Sequence, residues 1–92
     1  MSLKLFEPLR VGPVVLPNRI VLSPMCQYMA VEGLPTDWHP THYLSRARSG
    51  AGLVVVEATA VSPEGRITPG CTGLWSDQHA GAMKPIVAGI KA

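Results

Sequence analysis

Basic residues are scattered through this chain with no run of Lys or Arg, and the formal net charge is only +2. That excludes the electrostatic footprint of a nucleic-acid or anionic-membrane binder. No apolar stretch approaches the ~20 residues that a transmembrane helix needs. Cysteine is scarce: Cys26 and Cys71 stand far apart with no Cys-x-x-Cys pair. Neither a metal knuckle nor a disulfide framework is expected, and a reduced, cytoplasmic setting is the default. A glycine-rich phosphate loop is also missing. Gly50-Ala51-Gly52 precedes an apolar run rather than following one, so it is not a dinucleotide fingerprint. There is no internal repeat and no low-complexity tract. The opening Met1-Ser2-Leu3-Lys4-Leu5 is short and soon followed by Glu7-Pro8, which argues against a signal peptide. At 92 residues the chain can form one small domain with a thin core.

What is present alternates between strand-like and helix-like segments. Val11 to Leu16 reads as a small hairpin turning at Gly12-Pro13, with short apolar arms on either side. Ile20-Val21-Leu22 is apolar without alternation, as suits a strand buried on both faces. Pro24 ends it, because proline cannot donate to a ladder. Gly33 and Pro35 break a loop from Met29 to Thr36. Asp37 reads as an N-cap with Pro40 in the first turn, opening a helix from Trp38 to Ser49. Its inward face is expected to be Tyr43, Leu44 and Ala47. Ser49 to Gly52 stops that helix. Leu53 to Thr59 is a second core strand rich in β-branched residues. Ala60 to Trp75 is a long loop of the kind that builds or covers a site. Ser76-Asp77 begins a turn, and a last helix is expected from Met83 to Ala92, with Pro85 near its start.

The stretch from Asn18 to Tyr28 runs from a buried strand straight into a thiol and a phenol. Parallel α/β barrels present their chemistry in this way, at the carboxyl ends of the strands. Such a barrel needs ~250 residues, so the chain is read as one piece of a single barrel domain. Cys26 alone could be a small buried apolar residue or a weak donor beside a ligand. Glu57, a charge on a buried strand, needs a partner, expected to be an arginine outside this chain. His39 and His42 are spaced i, i+3, but no third ligand is evident, so they read as helix-end histidines bonding to backbone or water. Cys71 has no evident partner, and Trp75 reads as an anchor for the long loop.

Six segments in order carry a resemblance: Leu5-Phe6-Glu7-Pro8-Leu9, Pro17-Asn18-Arg19-Ile20, Ser23-Pro24-Met25-Cys26, His42-Tyr43, Gly52 to Ala58, and Gly65-Arg66-Ile67-Thr68. Together they resemble the N-terminal part of the Old Yellow Enzyme family of FMN-dependent ene-reductases, in the subclass with cysteine after Ser-Pro-Met. The resemblance implies an α/β fold: the first two βα units, with an N-terminal hairpin, of a (β/α)8 TIM barrel, incomplete on its own. It implies FMN as cofactor and NADPH or NADH as electron donor, activated alkenes as substrates, the remaining part of the barrel as partner, and a homo-oligomer when complete. It places Ser23, Pro24, Met25, Cys26 and Ala58 along the flavin ring and makes Tyr28 a catalytic and substrate-binding phenol. Two rivals stand beside this reading. One is a dienoyl-CoA reductase-like FMN barrel; the other is a non-catalytic βα folding unit, or half of a split or permuted barrel.

Overall fold

The computed structural model describes residues 3–92; Met1 and Ser2, the head of the segment weighed above as a leader, lie outside them. A single 3-10 turn, Lys4–Phe6, opens the described chain. β1 (Leu9–Val11) and β2 (Val14–Leu16) then pair antiparallel, with Leu9 opposite Leu16 and Val11 opposite Val14. Gly12 takes the turn at φ 58°, a conformation that glycine adopts without steric cost. Leu16 is buried, while Val11, Val14 and Val15 are more than half exposed.

β3 (Val21–Leu22), α1 (Trp38–Arg48) and β4 (Leu53–Val54) form the first βαβ unit, and the two strands run parallel. Asn18 fixes their register. Its side-chain amide donates to the Gly50 carbonyl at 2.7 Å, and its side-chain oxygen accepts from Ile20 N–H at 2.9 Å. A side chain at Gly52 would stand 2.5 Å from the Asn18 carbonyl, so glycine is what lets the two segments meet.

Leu53 to Thr59 is not one continuous strand. The last ladder bond runs from Val55 N–H to the Leu22 carbonyl at 3.1 Å. Beyond it the neighbouring chain carries Pro24, which has no N–H to offer, and the two segments separate. Pairing resumes at β5 (Thr59–Ala60), which runs parallel to β6 (Thr72–Gly73). The expected long loop therefore holds a strand, and also a 3-10 turn at Pro63–Gly65 capped by the Ser62 hydroxyl. The described strands form three separate pairs rather than a closed barrel.

Helix expectations need three corrections. Asp37 flanks α1 but is itself helical, and its side chain makes no capping bond; the His39 ring takes the role instead, accepting Thr36 N–H at Nδ1 at 2.9 Å. The buried face of α1 is His39, His42 and Tyr43, with Leu44 and Ala47 only half-buried. This face is polar because it meets a carboxylate, described below. α2 (Asp77–Lys91) starts at Asp77 rather than Met83, because the Ser76 hydroxyl accepts His79 N–H and caps it. Pro85 lies inside α2. The ring's clash would fall on the residue one turn earlier, which is Gly81, exposed and with open space around it. α2 packs on α1, where Leu44 lies against Gly89.

Trp75 joins the loops above the strands, as expected of it. Its ring is 4.2 Å from that of His79, and the Arg66 guanidinium lies 5.4 Å above it. His79 Nε2 sits 3.0 Å from the Glu32 carbonyl, and Gly73 N–H donates to the Gly33 carbonyl at 2.9 Å. A side chain at Gly33 or Gly73 would run into the indole. Gly73→Ala is therefore expected to destabilise the protein by about 1–3 kcal/mol through overpacking. Chemical denaturation followed by Trp fluorescence checks this, and an unchanged midpoint with unchanged emission would mean that Trp75 is not confined there.

Candidate active site

Beyond Leu22 the chain leaves the ladder. Ser23, Pro24 and Met25 are exposed, and Cys26 and Gln27 are half-buried. Among the described residues, no main-chain group pairs with the N–H of Ser23, Met25 or Cys26. The stretch thus presents free backbone donors and a thiol at the carboxyl end of β3.

Gln27 fastens this stretch in three directions. Its N–H donates to Glu57 Oε2 at 3.2 Å, its side-chain amide donates to the Met25 carbonyl at 2.9 Å, and its side-chain oxygen accepts from the Trp38 indole at 2.9 Å. The first bond spans the gap where β3 and β4 have separated, so a side chain replaces the missing ladder. Glu57 is 3% exposed. Its other oxygen accepts the Tyr43 hydroxyl at 2.7 Å, and Glu57 N–H donates back to that hydroxyl at 2.9 Å. His39 Nε2 lies 3.6 Å from the same Oε1 and has no hydrogen-bond partner. Glu57 thus finds partners within the chain itself: Tyr43, the Gln27 N–H and, close by, His39. Two buried histidines and a tyrosine from α1 satisfy or surround a carboxylate that would be costly to bury alone.

Tyr28 follows at φ 57°, the left-handed region that a large side chain rarely occupies. Gly70 makes room for it: a side chain there would stand 2.6 Å from the Tyr28 carbonyl. Ala30 N–H donates to the Gly70 carbonyl at 3.0 Å. The phenol is half exposed and adjoins Cys26, whose thiol, helped by burial, pushes it above its ordinary value. It therefore stays protonated and able to donate at neutral pH. Burial, chiefly, pushes the Tyr43 phenol far up, with the Glu57 carboxylate adding to it. Burial likewise lowers the His42 imidazole, aided by Arg46.

Cys26 and Tyr28 are thus brought together, with Ser23, Pro24 and Met25 leading into them. Ala58 stands one residue past the Glu57 clasp. It is exposed and opens on a cleft of about 140 Å³ whose walls include Ala60, Arg66, Ile67 and Cys71. Cys71 does have local partners: Sγ accepts from Thr68 N–H at 3.3 Å, and the Thr68 hydroxyl, chiefly, draws the thiol below its ordinary value. Among the described residues no cluster of three or more His, Cys, Asp or Glu could hold a metal ion. No helix there is long and apolar enough to cross a membrane. The sequence reading gave no site role to Gln27 or Gly70 and saw Tyr43 only as a core residue. The charge at Glu57 was the available signal for Gln27 and Tyr43, and Pro69-Gly70 for Gly70.

A leading hairpin and successive βα units, with polar side chains gathered past the strand ends, are the architecture of part of a (β/α)8 barrel. The chain belongs to the NADH:flavin oxidoreductase / NADH oxidase family, whose sequence profile covers residues 4–92. It is 49% identical over 94 residues to an NADPH dehydrogenase of Bacillus pumilus (strain SAFR-032), covering 100% of this chain and 28% of that protein. The Old Yellow Enzyme homologue of Zymomonas mobilis superposes with a TM-score of 0.85 at 35% identity, over 96% of this chain and 24% of that one. Morphinone reductase in complex with tetrahydroNAD superposes at 0.85 with 30% identity, over 98% and 24%. The chain spans roughly a quarter of the length of the relatives it matches, 28% in the first case.

The raised Tyr43 phenol carries a signed pH prediction. A folded value above the unfolded one means that stability is complete below the unfolded value of about 10. Stability then falls as pH rises past it, because the unfolded chain releases the proton first. In the full-length protein carrying this segment, Tyr43→Phe should flatten that alkaline loss. It should also lower stability at neutral pH by about 1–3 kcal/mol, since Glu57 loses its donor. Denaturation midpoints across pH check both, and an unaltered alkaline slope in the variant would contradict the assignment.

Proposed function

We propose that this segment forms one wall of the active site of an FMN-dependent NAD(P)H oxidoreductase that reduces activated C=C bonds. The observation that carries the reading is the pairing of Cys26 with Tyr28 at the end of β3, beside backbone N–H groups that nothing else uses. Bound FMN would supply hydride chemistry, accepting hydride from NADPH or NADH and delivering it to the β-carbon of the alkene. The residues present fit the ring. Ser23 to Cys26 offer unpaired main-chain donors and a thiol, groups of the kind that tune a flavin's ring nitrogens and carbonyls. Ala58, a small exposed residue on the next segment, leaves room for a flat group against the backbone.

Tyr28 is the substrate-orienting group in this reading. A protonated phenol on a largely apolar wall donates to the carbonyl or nitro oxygen of the alkene. The phosphate anchor is a matter for other segments, because barrel phosphate sites usually come from the loops after strands 7 and 8. The remaining part of the barrel is the partner that completes the site, in a cytoplasmic homo-oligomer. Family membership and the paired thiol and phenol favour this reading over a non-catalytic folding unit. The cysteine after Ser-Pro-Met favours it over a dienoyl-CoA reductase-like barrel.

Tyr28→Phe tests the proposal in the full-length enzyme. The hydrogen bond strengthens as charge develops on the substrate oxygen. Its loss should cost about 1–3 kcal/mol, or about ten- to a hundredfold in the oxidative half-reaction with enones. Reduction of the flavin by nicotinamide should suffer less. Stopped-flow measurement of the two half-reactions decides, and equal rates for both proteins with several enones would reduce Tyr28 to a packing residue.

A further inference from the structure

The wall described above has an unusual support. Tyr28 stands in a left-handed conformation with its side chain half exposed, so its own packing does not hold it. Such backbone strain persists only where the surroundings over-determine it. Two restraints are present. Gly70 closes on the Tyr28 backbone from one side. From the other, the residue between Cys26 and Tyr28 is pinned by the Glu57 carboxylate, from the segment between β4 and β5.

We propose that Glu57 and Gln27 are positioning residues for this site, setting where the Tyr28 phenol and the Cys26 thiol stand relative to bound flavin and substrate. The assignment rests on the reading of Tyr28 as the substrate-facing group. Glu57 divides its two oxygens between different tasks: Oε1 takes the Tyr43 hydroxyl, and Oε2 takes Gln27 N–H. The second bond reaches out of the core to the loop that carries Cys26 and Tyr28. Tyr43 in turn is locked to Glu57 by a second bond, from Glu57 N–H to its hydroxyl oxygen. His39 stands beside it: its Nδ1 accepts Thr36 N–H, and its Nε2, without a hydrogen-bond partner, lies 3.6 Å from Oε1. The carboxylate is therefore fixed in orientation before it meets the loop. Gln27 transmits that fixity outward. Its side chain ties the Met25 carbonyl behind it to the Trp38 indole at the start of α1. The motif from Ser23 to Tyr28 thus pivots on Gln27, and α1 holds the pivot.

The test uses the full-length FMN-loaded enzyme carrying this segment and 2-cyclohexenone as substrate. Glu57→Gln keeps the size of the side chain but replaces the carboxylate with an amide that must share donors and acceptors differently. It should leave flavin content intact and slow the oxidative half-reaction by about tenfold, the equivalent of one lost hydrogen bond. In a Tyr28→Phe background the same change should add little, because residues acting through one group are not additive. Hydrogen exchange at the amides of residues 27–29 should speed up in Glu57→Gln. Gln27→Ala, at a half-buried position, removes the side-chain ties without disturbing the buried carboxylate and should also slow the oxidative step; it decides the matter if Glu57→Gln fails to fold. Fully additive losses in the double variant, or a wild-type rate in a folded single variant, would overturn the proposal. If Tyr28→Phe alone reacts at the wild-type rate, it is the reading of Tyr28 that fails. The positioning role is then judged by amide exchange, where faster exchange supports it and unchanged exchange refutes it.

Discussion

Glu57 is a carboxylate almost wholly removed from water, at the point where two parallel strands stop pairing. Burying it without partners would cost several kcal/mol, so the surrounding sequence is obliged to meet it. That obligation explains why the inward face of α1 carries His39, His42 and Tyr43 rather than a purely aliphatic stripe. It also explains how the chain after β3 can leave the sheet without becoming loose. The ladder ends because Pro24 offers no N–H, and Glu57 supplies the next acceptor to Gln27. One side chain thus joins two strands, a helix and the loop that bears the thiol and phenol.

Under the proposed function, the separation of the strands serves the bound ring. Backbone groups that stay in a ladder are spent on each other, while the N–H groups of Ser23, Met25 and Cys26 are not. A flat, polar-edged ring needs such donors close to an open surface. The cost is strain at Tyr28 and a dependence on glycine at position 70, where any side chain would meet the Tyr28 backbone. Trp75 stabilises the outer layer by the opposite means, filling space that Gly33 and Gly73 leave free. Rigid loops held by an aromatic anchor then surround a strand end whose polar groups remain available.

Much of the fold was legible because local chemistry and tertiary structure agree. The hairpin at Gly12-Pro13, the strand at Val21 and Leu22, and the helix beginning at Trp38 all follow from turn residues and apolar runs. The barrel membership came from six spaced motifs rather than from periodicity. Where the reading failed, a neighbouring side chain or a paired segment had overridden the simplest local preference. Leu53 to Thr59 has the composition of one strand but is divided, because its partner runs into Pro24. Pro85 sits within α2, a helix that the Ser76 hydroxyl has already begun about two turns earlier. Asp37 looked like a cap, yet the His39 ring already engages the Thr36 N–H. For the candidate site, the placement of Cys26 and Tyr28 just past β3 was readable. The left-handed turn at Tyr28 was not, since nothing local marks it; it is imposed by Gly70 and Glu57 from elsewhere in the chain.

The central claim is that the Glu57 clasp presents the Ser23 to Tyr28 segment to a flavin ring. A crystal structure of the full-length protein bound to FMN tests it most directly. The account predicts the isoalloxazine lying along Ser23 to Cys26, with the Cys26 thiol in contact with the ring, the Tyr28 phenol facing the substrate space, and the bond from Gln27 N–H to Glu57 intact. A ring bound away from this segment, or a Gln27 amide released from Glu57 when FMN is in place, would contradict it.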